Sequence, residues 1–161
     1  MRSAHGFIEH LRSLTSGDSR LADVQAVLNY PEVTKVCSAQ ECSFQFQFET
    51  WASRLRLVRP SAVFGEVQTK NGTVELINIL YGQGQSTFVR ISETRCASCA
   101  SKDRVSLQAV SQDDTGKWSL SFNDVPPAVR EQLLSINVSC LTKMSGCQSR
   151  NQILPAPWLK S

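Results

Sequence analysis

Histidine is nearly missing from this chain: 161 residues hold two, His5 and His10. Both fall in the first helical stretch, and their i, i+5 spacing puts them on different faces, so they cannot chelate one metal ion together. They read as solvated surface histidines. General acid–base catalysis usually recruits histidine, so little here speaks for an enzyme. An excess of charge of one sign is also missing. Seventeen basic and 14 acidic residues leave a net charge of +3, and they are spread evenly, with no basic arm and no acidic tail. Electrostatics therefore gives no argument for nucleic acid or an anionic membrane. No apolar run approaches the roughly 18 residues that a membrane-spanning helix needs. The start, Met1-Arg2-Ser3-Ala4-His5-Gly6, has no signal-peptide apolar stretch. The expectation is a cytosolic chain, or one whose targeting segment lies outside this sequence. There is no G-x-S-x-G nucleophile elbow, and Gly82-x-Gly84 lacks the following helix of a phosphate loop. Asp113-Asp114 precedes Thr115-Gly116 and reads as a turn, not as a calcium or glycosidase pair.

What remains is a chain about one domain long. Hydrophobic residues at 41% and charged residues at 19% place it with globular proteins, not disordered ones. Residues 1–35 read as a helical N-terminal extension. Phe7, Ile8, Leu11 and Leu14 have helical spacing. Gly17 interrupts it, and Asp18 or Ser19 is placed to cap a second helix carrying Leu21, Val24, Val27 and Leu28. Pro31 ends that helix. These helices need a surface to pack on, and residues 36–161 supply a β-domain.

Period-two alternation dominates residues 42–123. Phe44, Phe46 and Phe48 point one way; Gln45, Gln47 and Glu49 point the other. Leu55 and Leu57 alternate with Arg54 and Arg56, and this segment is expected to pair with the phenylalanine strand. Asn71-Gly72 between apolar runs specifies a type I′ hairpin turn, with positive φ at both residues. That turn sets Lys70 opposite Thr73, Val67 opposite Leu76, Gly65 opposite Asn78 and Phe64 opposite Ile79. The hairpin is then apolar on both faces near its base, which calls for the helices on one side and a second sheet on the other. Further strands carry Val89 and Ile91; Val105, Leu107 and Ala109; and Trp118, Leu120 and Phe122. With about seven strands and frequent turns, the fold reads as mainly β: an antiparallel sandwich or open barrel with short N-terminal helices and one C-terminal helix. Phe44, Phe46, Phe48, Leu55, Leu57, Val67, Leu76, Val89, Ile91, Trp118, Leu120 and Phe122 are the expected core. Asp124 is placed to cap the C-terminal helix opened by Pro126-Pro127, with Val129, Leu133 and Ile136 on its apolar face. Ile136 and Val138 begin a last strand, and Leu154–Leu159 is extended, with Trp158 as an anchor.

The six cysteines, Cys37, Cys42, Cys96, Cys99, Cys140 and Cys147, fall in local pairs spaced C-x4-C, C-x2-C and C-x6-C. All lie near loops, and their number is even. Disulfides in an oxidising compartment are the first reading; buried reduced thiols come second, and a zinc site of Cys37, Cys42, Cys96 and Cys99 third. Spacing does not choose among the possible connectivities, though the Cys140–Cys147 loop is the first candidate and Cys37–Cys42 the next. Cys96-Ala97-Ser98-Cys99 follows a strand without opening a helix, which is not the setting of a redox-active dithiol. Arg54, Arg56, Arg59 and Arg90 read as a wet strand face facing Gln45, Gln47 and Glu49, because no exposed aromatics accompany them as nucleic-acid sheets require. Asn71-Gly72-Thr73 and Asn137-Val138-Ser139 match the glycosylation acceptor pattern, which carries meaning only in a eukaryotic secretory protein.

Cys42 leading Phe44, Phe46 and Phe48, the Asn71-Gly72 turn, and a tail of Cys140-Leu141-Thr142, Gly146-Cys147, Leu154-Pro155 and Trp158 resemble a group of bacterial proteins expected to sit outside the cytoplasm behind an N-terminal anchor. The resemblance covers residues 40–160 and implies location and oxidised cysteines, with no activity to carry over. The expected function is that of a non-enzymatic extracytoplasmic β-domain, an interaction or structural module whose partner is a protein or an envelope component. It needs no cofactor and has no transmembrane segment. The alternative is a zinc-stabilised intracellular domain that binds protein or nucleic acid.

Overall fold

A computed structural model of the chain describes residues 4–30, 33–49, 55, 61–83, 87–101, 103–113, 116–142, 147 and 149–160. Helices α1 (Ala4–Arg12) and α2 (Leu21–Val27) precede strands β1 (Val33–Cys37), β2 (Glu41–Glu49), β3 (Ser61–Lys70), β4 (Thr73–Gln83), β5 (Thr87–Arg95), β6 (Val105–Asp113) and β7 (Gly116–Val125). Helix α3 (Pro127–Leu133), two 3-10 turns and a last helical turn, α4 (Ala156–Leu159), follow among the described residues. The protein is mainly β, as its alternation requires. The strands form one seven-stranded antiparallel sheet in sequence order, β1 to β7, each paired with its neighbours in the chain.

The helices lie on one face of this sheet, and together they close one core. Phe7 of α1 sits 4.3 Å from the Phe46 ring and 4.7 Å from that of Phe48, centroid to centroid. Across the sheet, Trp158 of α4 meets Phe122 of β7 edge-on at 5.0 Å, and its indole N–H donates to the Leu133 carbonyl. The N-terminal helices thus cover β2–β4, and the C-terminal segment covers the β7 side. No described strand belongs to a second sheet, so the expected sheet cover over the hairpin is replaced by an open face.

The β3–β4 hairpin explains that correction. Asn71 and Gly72 have φ of 50° and 79°, as a type I′ turn demands. Lys70 faces Thr73, but the register then slips. Thr69 pairs with Val74 and Gln68 with Leu76, so Glu75 is an extra residue. Beyond this bulge Val67 faces Ile77, Gly65 faces Ile79 and Phe64 faces Leu80, one residue away from the register that the turn alone would impose. The bulge brings Val74 and Ile77 to the same side, and Ile79 and Tyr81 join Val63 and Val67 in the core. Phe64, Leu76 and Leu80 are left outside, too few to require a second sheet.

Other expectations are corrected by what each segment packs against. Leu55 sits in a turn and is 63% exposed, while Arg54, Arg56, Leu57 and Arg59 lie outside the described residues. Strand β2 pairs with β1 and β3. The β-branched Val33, Thr34 and Val36 make β1 a strand immediately after the helical region. Trp118, Leu120 and Phe122 are half-buried, because β7 is an edge strand. Helix α2 starts after Arg20, whose N–H donates to Asp23, while the Ser19 hydroxyl accepts from the Thr15 N–H within the preceding turn. Asp124 does not cap α3. It has φ of 55° and Pro126 holds the cap position. Arg130 and Leu133 form the inward face of α3, Leu134 is buried just after it, and Val129 lies outside. Ile136 and Val138 lead into the 3-10 turn Ser139–Thr142 instead of a strand, and the tail is helical at Ala156–Leu159, where Trp158 is fully buried.

Gly65 is where this packing is tightest. A Cβ there would stand 1.7 Å from Phe46 Cζ, so the ring lies directly over the glycine backbone. Phe7 packs against the same ring, tilted at 56° to it. Gly65→Ala should therefore destabilise the protein by about 1–3 kcal/mol, the range for overpacking a filled core. Combining it with Phe46→Leu should cost less than the sum of the two single changes. Urea unfolding of the three variants checks this; a Gly65→Ala protein as stable as the parent would contradict the packing.

Candidate binding face and the cysteine loops

The outer face of the sheet carries the side chains that alternate away from the core. Cross-strand register arranges them in rows perpendicular to the strands. One row runs Thr34–Gln45–Glu66–Asn78 through the first four strands and continues as Ser92–Gln108–Ser121. Every member is a hydroxyl, an amide or, once, a carboxylate. The neighbouring row is Gln47–Phe64–Leu80–Arg90–Val110–Ser119, where apolar groups take the middle. Between these rows lies a shallow depression of about 580 Å³, floored by β2–β4 and edged by Arg90. Phe64 is 37% exposed at its centre.

The chemistry of these two rows is mostly amide and hydroxyl hydrogen bonding around a small apolar strip, with Glu66 and Arg90 as their charged members. The carboxylate within these two rows, Glu66, is already organised. Glu66 accepts from the Ser43 hydroxyl at 2.8 Å. Its pKa is lowered from 4.5, chiefly by a hydrogen bond from Gln68, with Ser43 and Gln45 adding to the effect against an opposing contribution from burial. Both amide and hydroxyl side chains donate and accept, and they stand on strands rather than loops, which fixes their spacing.

The buried acids are committed elsewhere. Glu93 on β5, 1% exposed, takes the Arg130 guanidinium at 2.8 Å and the Ser16 N–H at 2.8 Å. Arg130 in turn donates to the backbone carbonyls of Arg12 and Leu14. Asp113 at the end of β6 accepts the Arg150 N–H at 3.1 Å, with the guanidinium 3.7 Å away. His10 meets the Tyr30 hydroxyl through Nδ1. Tyr81 is buried beside Gln83 and its pKa is pushed up to about 12 by desolvation, partly offset by the Cys147 backbone N–H.

All six cysteines pair locally. Cys37–Cys42 ties β1 to β2 where the two residues face each other, their Cα atoms 4.1 Å apart. Cys96–Cys99 closes the turn between β5 and β6, and Cys140–Cys147 closes the loop after α3. The proposed zinc set of Cys37, Cys42, Cys96 and Cys99 is not assembled: among the described residues no three potential ligands gather in one place. Sequence reasoning missed the Glu93–Arg130 pair, since the partners are 37 residues apart. It also missed the outer rows, which exist only once the strand registers are known. Searches of family models, curated proteins and solved structures found no match to this chain.

The organisation of Glu66 gives a direct test. Its carboxyl should titrate below 4.5 by NMR, and Gln68→Ala should move the midpoint upward. The sign for stability follows: a depressed carboxyl pKa supports the fold above the unfolded value and loses that support as pH falls through the folded one. An unchanged midpoint in the Gln68→Ala variant would show that the carboxylate is not held by this network.

Proposed function

We propose that this chain is a non-enzymatic β-domain that works outside the cytoplasm as an interaction module, and that the outer sheet face is the surface with which it engages an envelope component. The observation that carries this reading is the complete local pairing of the cysteines, each pair in a loop or strand end and none inside the core strands β3, β4, β6 or β7. Such links stiffen exposed loops and persist where the surroundings are oxidising. Non-enzymatic action is supported by the way the buried acids are used: Glu93 and Asp113 hold the C-terminal segment to the sheet. The neutral amide and hydroxyl rows suit a partner that is itself polar and weakly charged. A basic groove, as nucleic acid demands, is not what these rows provide.

Two measurements test the reading together. Protein recovered from an oxidising compartment and alkylated without reductant should gain no label by intact mass, and six labels after reduction; six labels beforehand would overturn the oxidised assignment. Asn78→Arg sets a charge in the middle of the face without touching the core. It should leave the melting temperature within about 2 °C, since surface changes away from special features stay near ±0.5 kcal/mol, while abolishing co-sedimentation with cell-envelope fragments. Parent protein that never co-sediments, or a variant that binds as well as the parent, contradicts the assigned surface.

A further inference from the structure

A sheet that does not close has two edges, and this one treats them differently. Strand β1 is short, five residues, with an exposed Lys35, and the Cys37–Cys42 bond pins its end. Short strands and edge lysines are the usual means of stopping edge-to-edge association. Strand β7 has twice that length, ten residues, with no proline inside it and one lysine, at position 117 near its start. The ladder of β7 with β6 is regular from Gly116 to Phe122, and its register shifts only before Val125, beside Asp124 at φ 55°.

The backbone polarity of that edge follows from its hairpin. Asp113 faces Gly116 with two residues between them. The pair flanking a two-residue hairpin loop exchanges both backbone bonds, and bonded and non-bonded pairs then alternate along the ladder. Trp118, Leu120 and Phe122 therefore direct their N–H and C=O groups to β6. Lys117, Ser119 and Ser121 direct theirs outward. Among the described residues no backbone group takes these outward groups.

We infer that β7 is a homodimer interface, pairing antiparallel with β7 of a second copy about a two-fold axis at Leu120. The occupant is identified by the strand's self-complementarity. With Leu120 opposite Leu120 of the second copy, Trp118 falls opposite Phe122, Ser119 opposite Ser121 and Lys117 opposite Asn123. The three large half-buried side chains of the edge then meet one another on the core side. They do so at non-hydrogen-bonded positions, where cross-strand side chains stand closest. No charge meets a like charge. Both copies use the same patch, so the contact closes on itself and cannot grow into a fibre. The product is one continuous sheet of two copies with the helices on one side and both outer faces on the other, which doubles the binding valence of that face.

Sedimentation equilibrium of the full chain tests this over a range of loading concentrations. The expected result is a mass that rises from monomer to dimer and goes no higher. Ser119→Pro and Ser121→Pro each remove an outward N–H that β6 does not use, a change edge strands accept. Each should leave a folded monomer with the parent's circular dichroism. A register-specific pair of variants covers the case in which proline disturbs the strand. Ser119→Lys with Ser121→Lys opposes like charges twice across the axis and should weaken the dimer more than tenfold. Ser119→Lys with Ser121→Glu opposes unlike charges at the same positions and should dimerise at least as tightly as the parent. A parent that stays monomeric at every concentration overturns the inference. So does a dimer that is indifferent to the proline and charge variants.

Discussion

The Glu93–Arg130 ion pair is the contact on which the two halves of the cover depend. Glu93 comes from the middle of the sheet, Arg130 from α3, and the backbone they bind, Arg12, Leu14 and Ser16, from the end of α1 and the loop after it. Both side chains are buried, 1% and 8% exposed. Removing two charges from water is costly, and the attraction between them offsets that cost only when the remaining donors and acceptors are also satisfied. Here they are: the carboxylate takes a backbone N–H as well as the guanidinium, and the guanidinium takes two carbonyls. The arrangement specifies position more than it adds stability. It fixes where the N-terminal helices stop and where α3 must land, so that Phe7 covers β2 and Trp158 reaches β7.

From that seam the rest of the architecture follows. The loop beyond Leu14 runs along the start of β4 and bridges to it: Gly17 donates to Val74, Val74 to Ser19, and Leu21 to Gly72. The tip of the β3–β4 hairpin is thereby held to the helical layer and, through Asn71 and Gln40, to the β1–β2 turn. Asp113 with Arg150 repeats the device at the far end, with the Arg150 guanidinium 5.4 Å from the Trp118 ring centroid. One face of the sheet is covered by these attachments. Among the described residues no strand or helix covers the other, which is why the proposed binding surface is placed there.

Much of the fold was legible in the chain, because local rules set it. The Phe44, Phe46, Phe48 alternation named its buried face, Asn71-Gly72 named its turn, and Trp158 named its anchor. What was illegible depended on contacts distant in sequence. Nothing local to Val74-Glu75-Leu76 announces a bulge, yet that one unpaired residue moves Ile77, Ile79 and Tyr81 into the core and removes the need for a second sheet. Val129 has the right spacing to face inward, but Arg130 takes the inward place because Glu93 waits for it. Of the candidate site, the polar character of Gln45 and Gln47 could be read in advance. The alignment of Gln45 with Glu66, Asn78 and Ser92 could not, since it is a product of three strand registers.

That the buried ion pair positions both covers is tested most directly by a double-mutant cycle in urea. Glu93→Met, Arg130→Met and the double variant Glu93→Met/Arg130→Met should be compared with the parent. Each single change leaves a buried charge without its partner and should cost about 3–5 kcal/mol. The double change removes both charges and should cost clearly less than the two singles combined. Single variants within about 0.5 kcal/mol of the parent, the range of an ordinary surface substitution, would contradict the account.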